Sequence, residues 1–378
     1  MKISIVTTFY PGATIPLAHH LALAGDKVDY FFVSRQGAVN METFDYDHPV
    51  SGSSIQNVSK ENSIYDYLNK NVDIKIVPYY PVKNRKYLVG YIPFFRNLCI
   101  FDKLLKRIND GQYDLIYIIV NEEHDAIIAR GMKRYGIKNV VIAYHEVVQN
   151  HIGKLTLKDC VKATYNLGYP LICYSEHTKK TLVELTGNNN VYVTYFGPFE
   201  TYKRFDISKP IVGEPYVLFI GSIQPYKGLP FLYETIRDCG KIFRRKIVVA
   251  GSGYDKCIEE MQKDDRYILI NRFLSDEEFA NLTKFAECIV CPYVSGSQSG
   301  ITHTAMVFGT PVIATKVGAF EEFVEEGKNG YLVDYGDKEG LMTAIEHGVT
   351  LRGASNTYIP SHLQWKNIVN KLKPLLKL

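Results

Sequence analysis

Short apolar runs alternate with segments of helical period along almost the whole chain. KISIVTTFY is a β-rich run, a Pro-Gly turn follows, and TIPLAHHLALAG then sets Ile15, Ala18, Leu21 and Leu23 at roughly helical spacing before Gly25. VDYFFVS reads as the next strand. DLIYIIV, NVVIAYH, PLICYS and VYVTYF continue the series, with helical stretches such as DAIIARGMKRYG and EHTKKTLVELTG between them. Alternation of this kind writes βαβ units and a parallel sheet. Residues 36–71 lack a clear period and are largely polar, so an inserted, partly mobile loop is expected there.

GPFETYKRFDISKPIVGEP, rich in proline, glycine and charge, interrupts the alternation and reads as a linker. Beyond it the pattern restarts with YVLFIGS, KIVVAGSG, YILINRF, ECIVCPYV, PVIAT and GYLV, each separated from the next by a helical stretch. The expected fold is α/β, with two facing Rossmann-like, doubly wound domains. The first spans residues 1–200, the linker 201–213 and the second domain 214–359. The amphipathic SHLQWKNIVNKLKPLLKL at about 360–378 is expected to cross back onto the first domain as a helix. Facing sheets of this type turn the carboxyl ends of their strands toward a shared cleft, where their ligands bind.

Composition narrows the function classes. The chain has 378 residues, 46% hydrophobic and 22% charged, as in a folded globular protein of two average domains. No stretch approaches the roughly 20 apolar residues of a membrane span, and MKISIVTTFYPG lacks the features of a signal peptide, so a cytoplasmic location is expected. Seven cysteines without a secretion signal read as reduced thiols. A net charge of +4 gives no reason to expect nucleic acid as a partner.

Candidate chemistry gathers at the ends of the second-domain strands. SGSQSG (295–300) follows one strand and opens a helix, whose first amides lack intrahelical partners and whose dipole favours an anion. On the hexapeptide alone, a serine cap in a loop fits equally well. GSIQPYKG ends another strand and sets Lys227 before a helix, where it either reaches a phosphate or stays solvated. Glu321 and Glu322 start a further helix and either favour its dipole or accept from a ribose. Taken together, these groups describe a nucleotide diphosphate with its sugar. Gly251 in GSG marks a tight turn on the nucleotide side of the cleft, and Arg272 and Phe273 either flank the base or are a surface arginine beside a packed phenylalanine, which fits at least as well.

GSIQPYKG, VVAGSG, SDEEF, ECIVCPYVSGSQSGITHTAMVFGTPVIATKVGAFEEFVEEGKNGYLV and the Trp365 segment together resemble the retaining glycosyltransferases of the GT-B fold, family 4. FYPG, LALAGDKV, AYHEV and CYSEHTKKTLVEL extend the resemblance more loosely over the first domain. It implies a UDP- or GDP-sugar donor as substrate, held mainly by the second domain and requiring no further cofactor, and a glycan or lipid-linked acceptor on the first. Transfer would proceed with retention. By the resemblance Lys227 contacts the donor diphosphate, and Ser299, Gly300 and Ile301 cradle it. Glu322 belongs to the GGxPE segment, His145 lies near the reacting sugar, and Gly12 lies in the glycine-rich loop after the first strand. The chain departs from the family at Gly296 and Thr304, where many relatives carry glutamates, and at Ser222, where an arginine is common. Gln298 is the candidate for part of the missing polar contact.

Lys227 and the loop amides suit a departing diphosphate without a metal. Retention without a sugar-facing carboxylate favours front-face attack by the acceptor hydroxyl. Asp45-Tyr46-Asp47 matches a DxD motif but lies in the polar insertion, so no metal site is assigned. Cys288 and Cys291 form a CxxC whose offset of three in a strand puts them on opposite faces, which suits packing rather than zinc. In 83–107, Lys83, Arg85, Lys86, Arg96, Lys103, Lys106 and Arg107 interleave with aromatic and aliphatic residues, which fits a peripheral contact with the inner face of a membrane. The leading reading is a glycosyltransferase of polysaccharide biosynthesis. The alternatives are a sugar-nucleotide 2-epimerase of similar fold and a catalytically silent donor-binding subunit.

Overall fold

A computed structural model of the chain describes every residue except 9, 42–43, 83–90, 150–154, 206, 240–242, 298, 355–356 and 375–378. The described chain forms two large sheets. In chain order the strands are β1 (Lys2–Thr7), β2 (Lys27–Arg35), β3 (Asn40–Met41), β4 (Phe44–Asp45), β5 (Gln56–Asn57), β6 (Val72–Tyr79), β7 (Leu115–Ile119), β8 (Val140–Tyr144), β9 (Leu171–Cys173) and β10 (Val191–Val193). After the linker come β11 (Tyr216–Ile220), β12 (Lys246–Ala250), β13 (Tyr267–Ile270), β14 (Cys288–Cys291), β15 (Val312–Thr315) and β16 (Gly330–Val333).

The first sheet has the order β10-β9-β8-β7-β1-β2-β6-β5, and the second β13-β12-β11-β14-β15-β16. Every pairing in both sheets is parallel except that of β5 with β6. The strands are nearly continuous apolar runs, as expected of sheets covered on both faces by helices. In each sheet the strand order changes direction beside a central strand, β1 or β11. The loops that leave its carboxyl end therefore open onto a crevice.

β6 is hidden in the sequence because Asp73 and Lys75 interrupt its apolar run. Lys75 is buried and pairs with Asp29 of β2, whose carboxylate also accepts from the Tyr113 hydroxyl at 2.6 Å. The charge that reads as solvent-facing lies inside the protein. The expectation of a partly mobile loop at 36–71 also needs correction for its described residues. Met41, Phe44, Val50 and Ile64 are buried against the first sheet's core, and Asp47 accepts from the Ser59 amide and from Asn62 Nδ2, both at 2.8 Å. Asp47 of the DxD motif thus fastens a turn.

One hydrophobic cluster on the first sheet continues through Tyr195, Phe196 and Phe199 to Met306, Ala319 and Phe323 of the second half. It also takes in Trp365, Ile368, Val369 and Leu372, the i, i+3, i+4, i+7 stripe of the helix Trp365–Leu372, which packs against the helix Pro11–Leu23. Trp365 is 4% exposed, donates from Nε1 to the Pro198 carbonyl at 3.0 Å, and fills the place where a Cβ on Gly197 would lie only 2.6 Å away. The polar linker is strapped to the helix Asp276–Phe285. Asn281 accepts from the Ile211 amide at 3.0 Å and donates to the Lys209 carbonyl at 2.8 Å.

Cys288 and Cys291 are buried in separate clusters on opposite faces of the second sheet. The same seam that closes the core thus sets how the two sheets face one another. Trp365→Ala is expected to lower unfolding stability by about 3–5 kcal/mol, read as a reduced midpoint in denaturant titration.

Candidate functional site

The cleft between the sheets has a volume of about 430 Å³ and is lined from the first half by Tyr10, Gly12, Ala13 and His145. Lys227, Tyr293, Ser299, Gly300, Ile301 and Thr304 line it from the second.

Lys227 owes its place to glycines. β11 ends in Gly221 at φ 105°, and the GSIQPYKG turn closes at Gly228 with φ 67°, where a Cβ would lie 1.9 Å from the Pro292 carbonyl oxygen. The turn is thereby pressed onto the exit of β14, where the Val294 amide donates to the Tyr226 carbonyl at 2.8 Å. The Lys227 side chain is folded inward: the residue is 9% exposed, with Nζ 5.7 Å from the centre of the Tyr293 ring. Among the described residues it has no carboxylate partner. Burial therefore holds its pKa below the ordinary lysine value.

Beside it the helix Gly300–Phe308 begins. Its N-cap, Ser299, makes no side-chain capping bond and instead approaches the Tyr293 hydroxyl at 3.3 Å. The Thr302 amide donates back to the Ser299 carbonyl at 3.3 Å, while Gly300 and Ile301 stand too early in the helix to have intrahelical acceptors, so the helix start and the lysine together form a positively polarised corner of the cleft.

On the opposite wall Tyr10 holds a left-handed conformation, φ 54° and ψ 50°, at the head of the helix Pro11–Leu23. Its ring stacks on His145 with centroids 3.7 Å apart. His145 is half-buried at the cleft wall, and desolvation pushes its pKa down to about 3. The imidazole is therefore neutral throughout the physiological range. It can orient a substrate hydroxyl but has no ionised form to use as an acid.

Gly12, His145, Lys227, Ser299, Gly300, Ile301 and Phe273 all meet in this cleft. Ser222 is exposed outside it, and Gly251 is buried behind Gly221, whose carbonyl oxygen its Cβ would meet at 2.1 Å. Arg272 also turns away: its guanidinium pairs with Glu278 at 2.6 Å along the start of the next helix. Gln298 lies outside the described residues.

Glu322 requires a correction. The Glu176 and His177 amides donate to its carboxylate oxygens at 2.7 and 2.9 Å, and the Tyr195 hydroxyl donates at 3.0 Å. It caps the helix Glu176–Thr186 of the first half and is not among the residues that line the cleft, so its described role is a contact across the seam.

The sequence reading also missed residues. Tyr10, Tyr226, Tyr293, Asp276 and Phe279 line the cleft, and the signal for the last two was the regular spacing 273, 276, 279 that they share with Phe273. Glu146, the neighbour of His145, accepts from the Ser297 hydroxyl at 3.2 Å and lies 3.6 Å from Lys158 Nζ. It ties the SGSQSG loop to the first domain. In the helix Tyr91–Asp110, Ile100, Phe101, Leu104 and Ile108 belong to the core, whereas Ile92 and Phe95 are 58% and 60% exposed beside Arg96. Lys83, Arg85 and Lys86 lie outside the described residues. None of the described helices is long and apolar enough to cross a membrane.

Two facing α/β domains with parallel sheets and a cleft between them define the GT-B architecture. The chain aligns over its full length with Anabaena HepE in complex with UDP, covering 100% of both chains at a TM-score of 0.62 and 15% identity, a likeness that speaks for the fold. Residues 214–350 match the family model of group 1 glycosyl transferases. An uncharacterised glycosyltransferase of Methanocaldococcus jannaschii is 27% identical over 218 residues, 55% of this chain and 59% of the relative. A D-inositol 3-phosphate glycosyltransferase of Corynebacterium urealyticum is 30% identical over 177 residues, 42% of each. The chain spans about half the length of these curated relatives. It is a GT-B protein whose second half carries the group 1 glycosyltransferase signature.

Two outcomes follow from this geometry. Glu322→Ala should lower stability by about 1–2 kcal/mol, since it uncaps a helix across the domain seam, and thermal unfolding of the variant measures it. The His145 ring nitrogens should keep neutral-imidazole NMR shifts from pH 8 down to pH 5, where an exposed histidine would titrate.

Proposed function

We propose that the protein is a metal-independent, retaining hexosyltransferase of family 4. It moves a sugar from a UDP- or GDP-sugar to a glycan or lipid-linked glycan acceptor in polysaccharide biosynthesis. One observation carries the reading: a buried lysine without an anionic partner among the described residues stands beside an open helix start in the interdomain cleft. Such a corner is costly unless an anion completes it, and a diphosphate supplies two adjacent phosphate charges.

As the anomeric bond breaks, charge grows on the departing diphosphate. Lys227 and the first amides of the helix at Gly300 bind that charge more tightly in the transition state than in the ground state, which is what accelerates transfer. His145, neutral and held by Tyr10, orients the donor sugar or the incoming acceptor. The acceptor hydroxyl attacks from the face the diphosphate leaves and passes its proton to the departing phosphate oxygen.

The nucleotide-sugar site lies mainly in residues 214–359, and residues 1–200 with the terminal helix offer the acceptor wall. The inositol phosphate in the name of the Corynebacterium relative adds a small polar alcohol to the acceptors worth testing. Exposed Ile92 and Phe95 beside Arg96 support peripheral contact with the inner face of a membrane, which suits a lipid-linked acceptor.

The experiment is nucleoside diphosphate binding by calorimetry, followed by acceptor-dependent release of the nucleotide. Release that needs no acceptor, with interconversion of the sugar, would favour the epimerase reading. Binding without turnover would favour a silent subunit. Lys227→Met should weaken binding by about tenfold to a hundredfold, the scale of one lost charge-assisted bond.

The pH dependence has a definite sign. A bound diphosphate raises the lowered lysine pKa, so protons are taken up on binding. Affinity is then fully present below the free-protein pKa and falls as pH rises through it, at lower pH than for an ordinary lysine. The Lys227→Met profile should lack that decline.

A further inference from the structure

One carboxylate in the cleft has no partner among the described residues. β13 leads through residues 271–275 into the helix Asp276–Phe285, whose start is heavily committed. Ser275 and Glu278 form a reciprocal capping box, and Glu278 also holds Arg272. Asp276, the first residue of that helix, lines the cleft yet makes no hydrogen bond or ion pair among the described residues. It is partly buried, and desolvation raises its pKa against the weaker attraction of Arg204. Phe273, 86% exposed, and Phe279 line the same wall three residues to either side. The Tyr202 ring lies 5.9 Å from that of Phe279.

A carboxylate between two aromatic rings suits a flat heterocycle that presents N–H donors along one edge. The common nucleobases differ in this respect. Guanine offers N1–H and an N2 amino hydrogen side by side, matching both oxygens of a carboxylate. Uracil offers a single N–H flanked by two carbonyl oxygens, which a carboxylate repels. Adenine and cytosine place a ring-nitrogen acceptor next to the amino group, which is also unfavourable.

We propose that Asp276 determines base specificity and that the donor is a guanosine diphosphate sugar, its guanine edge donating to the Asp276 carboxylate with Phe273 stacked on the ring. The inference rests on the nucleotide-sugar reading above and narrows the donor left open there.

The test is calorimetric titration of the full chain and its variants with GDP and with UDP. The intact protein should bind GDP about tenfold or more tighter than UDP, the discrimination expected of one bidentate base contact. Asp276→Asn keeps the side-chain shape but turns one acceptor into a donor facing the guanine donors. It should abolish the preference through a loss confined to GDP. Phe273→Ala should weaken both nucleotides by about tenfold, because stacking is shared by all bases.

UDP binding as tight as or tighter than GDP would overturn the inference while leaving the transferase reading intact. So would an Asp276→Asn variant, folded by circular dichroism, that weakens both nucleotides alike, which would assign the carboxylate to the shared ribose. Failure of the intact protein to bind either nucleotide would overturn the donor-site reading itself and this inference with it.

Discussion

The cleft is organised around the burial of one ammonium group. Taking a lysine out of water without a counter-charge costs free energy, and a folded chain keeps such an arrangement only where the surroundings hold it in place. Here the left-handed Gly228 presses the PYK turn against Pro292, Gly221 leaves room for Nζ at the end of β11, and the Tyr293 ring lies beneath the charge. Each element is small, and all three belong to loops at the carboxyl edge of one parallel sheet. An anion beside Lys227 would offset the desolvation cost of the buried ammonium, which is the sense in which such a corner suits a charged ligand.

The second constraint is the seam that sets one wall of the cleft against the other. It consists of a shared hydrophobic cluster under Phe199 and Trp365, the Glu322 cap on the helix at Glu176, and the Ser297–Glu146 hydrogen bond beside the phosphate corner. The apolar part fixes which surfaces meet. The two polar contacts are individually modest, and the apolar cluster supplies most of the seam's buried area. Ser297, at the seam, and Ser299, the N-cap of the helix Gly300–Phe308, lie two residues apart in one loop.

Architecture was legible because parallel strands buried on both faces advertise themselves as unbroken apolar runs, and the restart after the linker announced a second sheet. β6 escaped because Lys75 points inward to Asp29, which no local pattern reveals. Lys227, Ser299 and Gly300 were legible as neighbours because each follows the end of a parallel strand, and the carboxyl ends of such strands converge on one edge of the sheet. The same reasoning misplaced Glu322. A carboxylate at a helix start reads as serving its own helix or a nearby ligand, and its actual partners lie more than a hundred residues away in sequence. Asp276 was hidden for the opposite reason: it sits among acids at a helix start, and only the structure separates the one that caps from the one left open.

These two carboxylates suggest how the chain manages without the glutamates that many relatives place at the positions of Gly296 and Thr304. Gly296 leaves open space at its Cβ apart from the edge of Tyr293, and the Thr304 hydroxyl turns back to the Gly300 carbonyl at 3.2 Å. Neither supplies charge to the cleft. Lys227 has no carboxylate partner among the described residues, whereas a carboxylate at position 296 or 304 would offset part of the positive field of this corner. The acids are displaced to the periphery, Glu146 and Glu322 across the seam and Asp276 at the aromatic end. The described charges are thereby divided along the cleft, Lys227 at one end and Asp276 at the other, an arrangement suited to orienting a ligand that is anionic at one end and carries hydrogen-bond donors at the other.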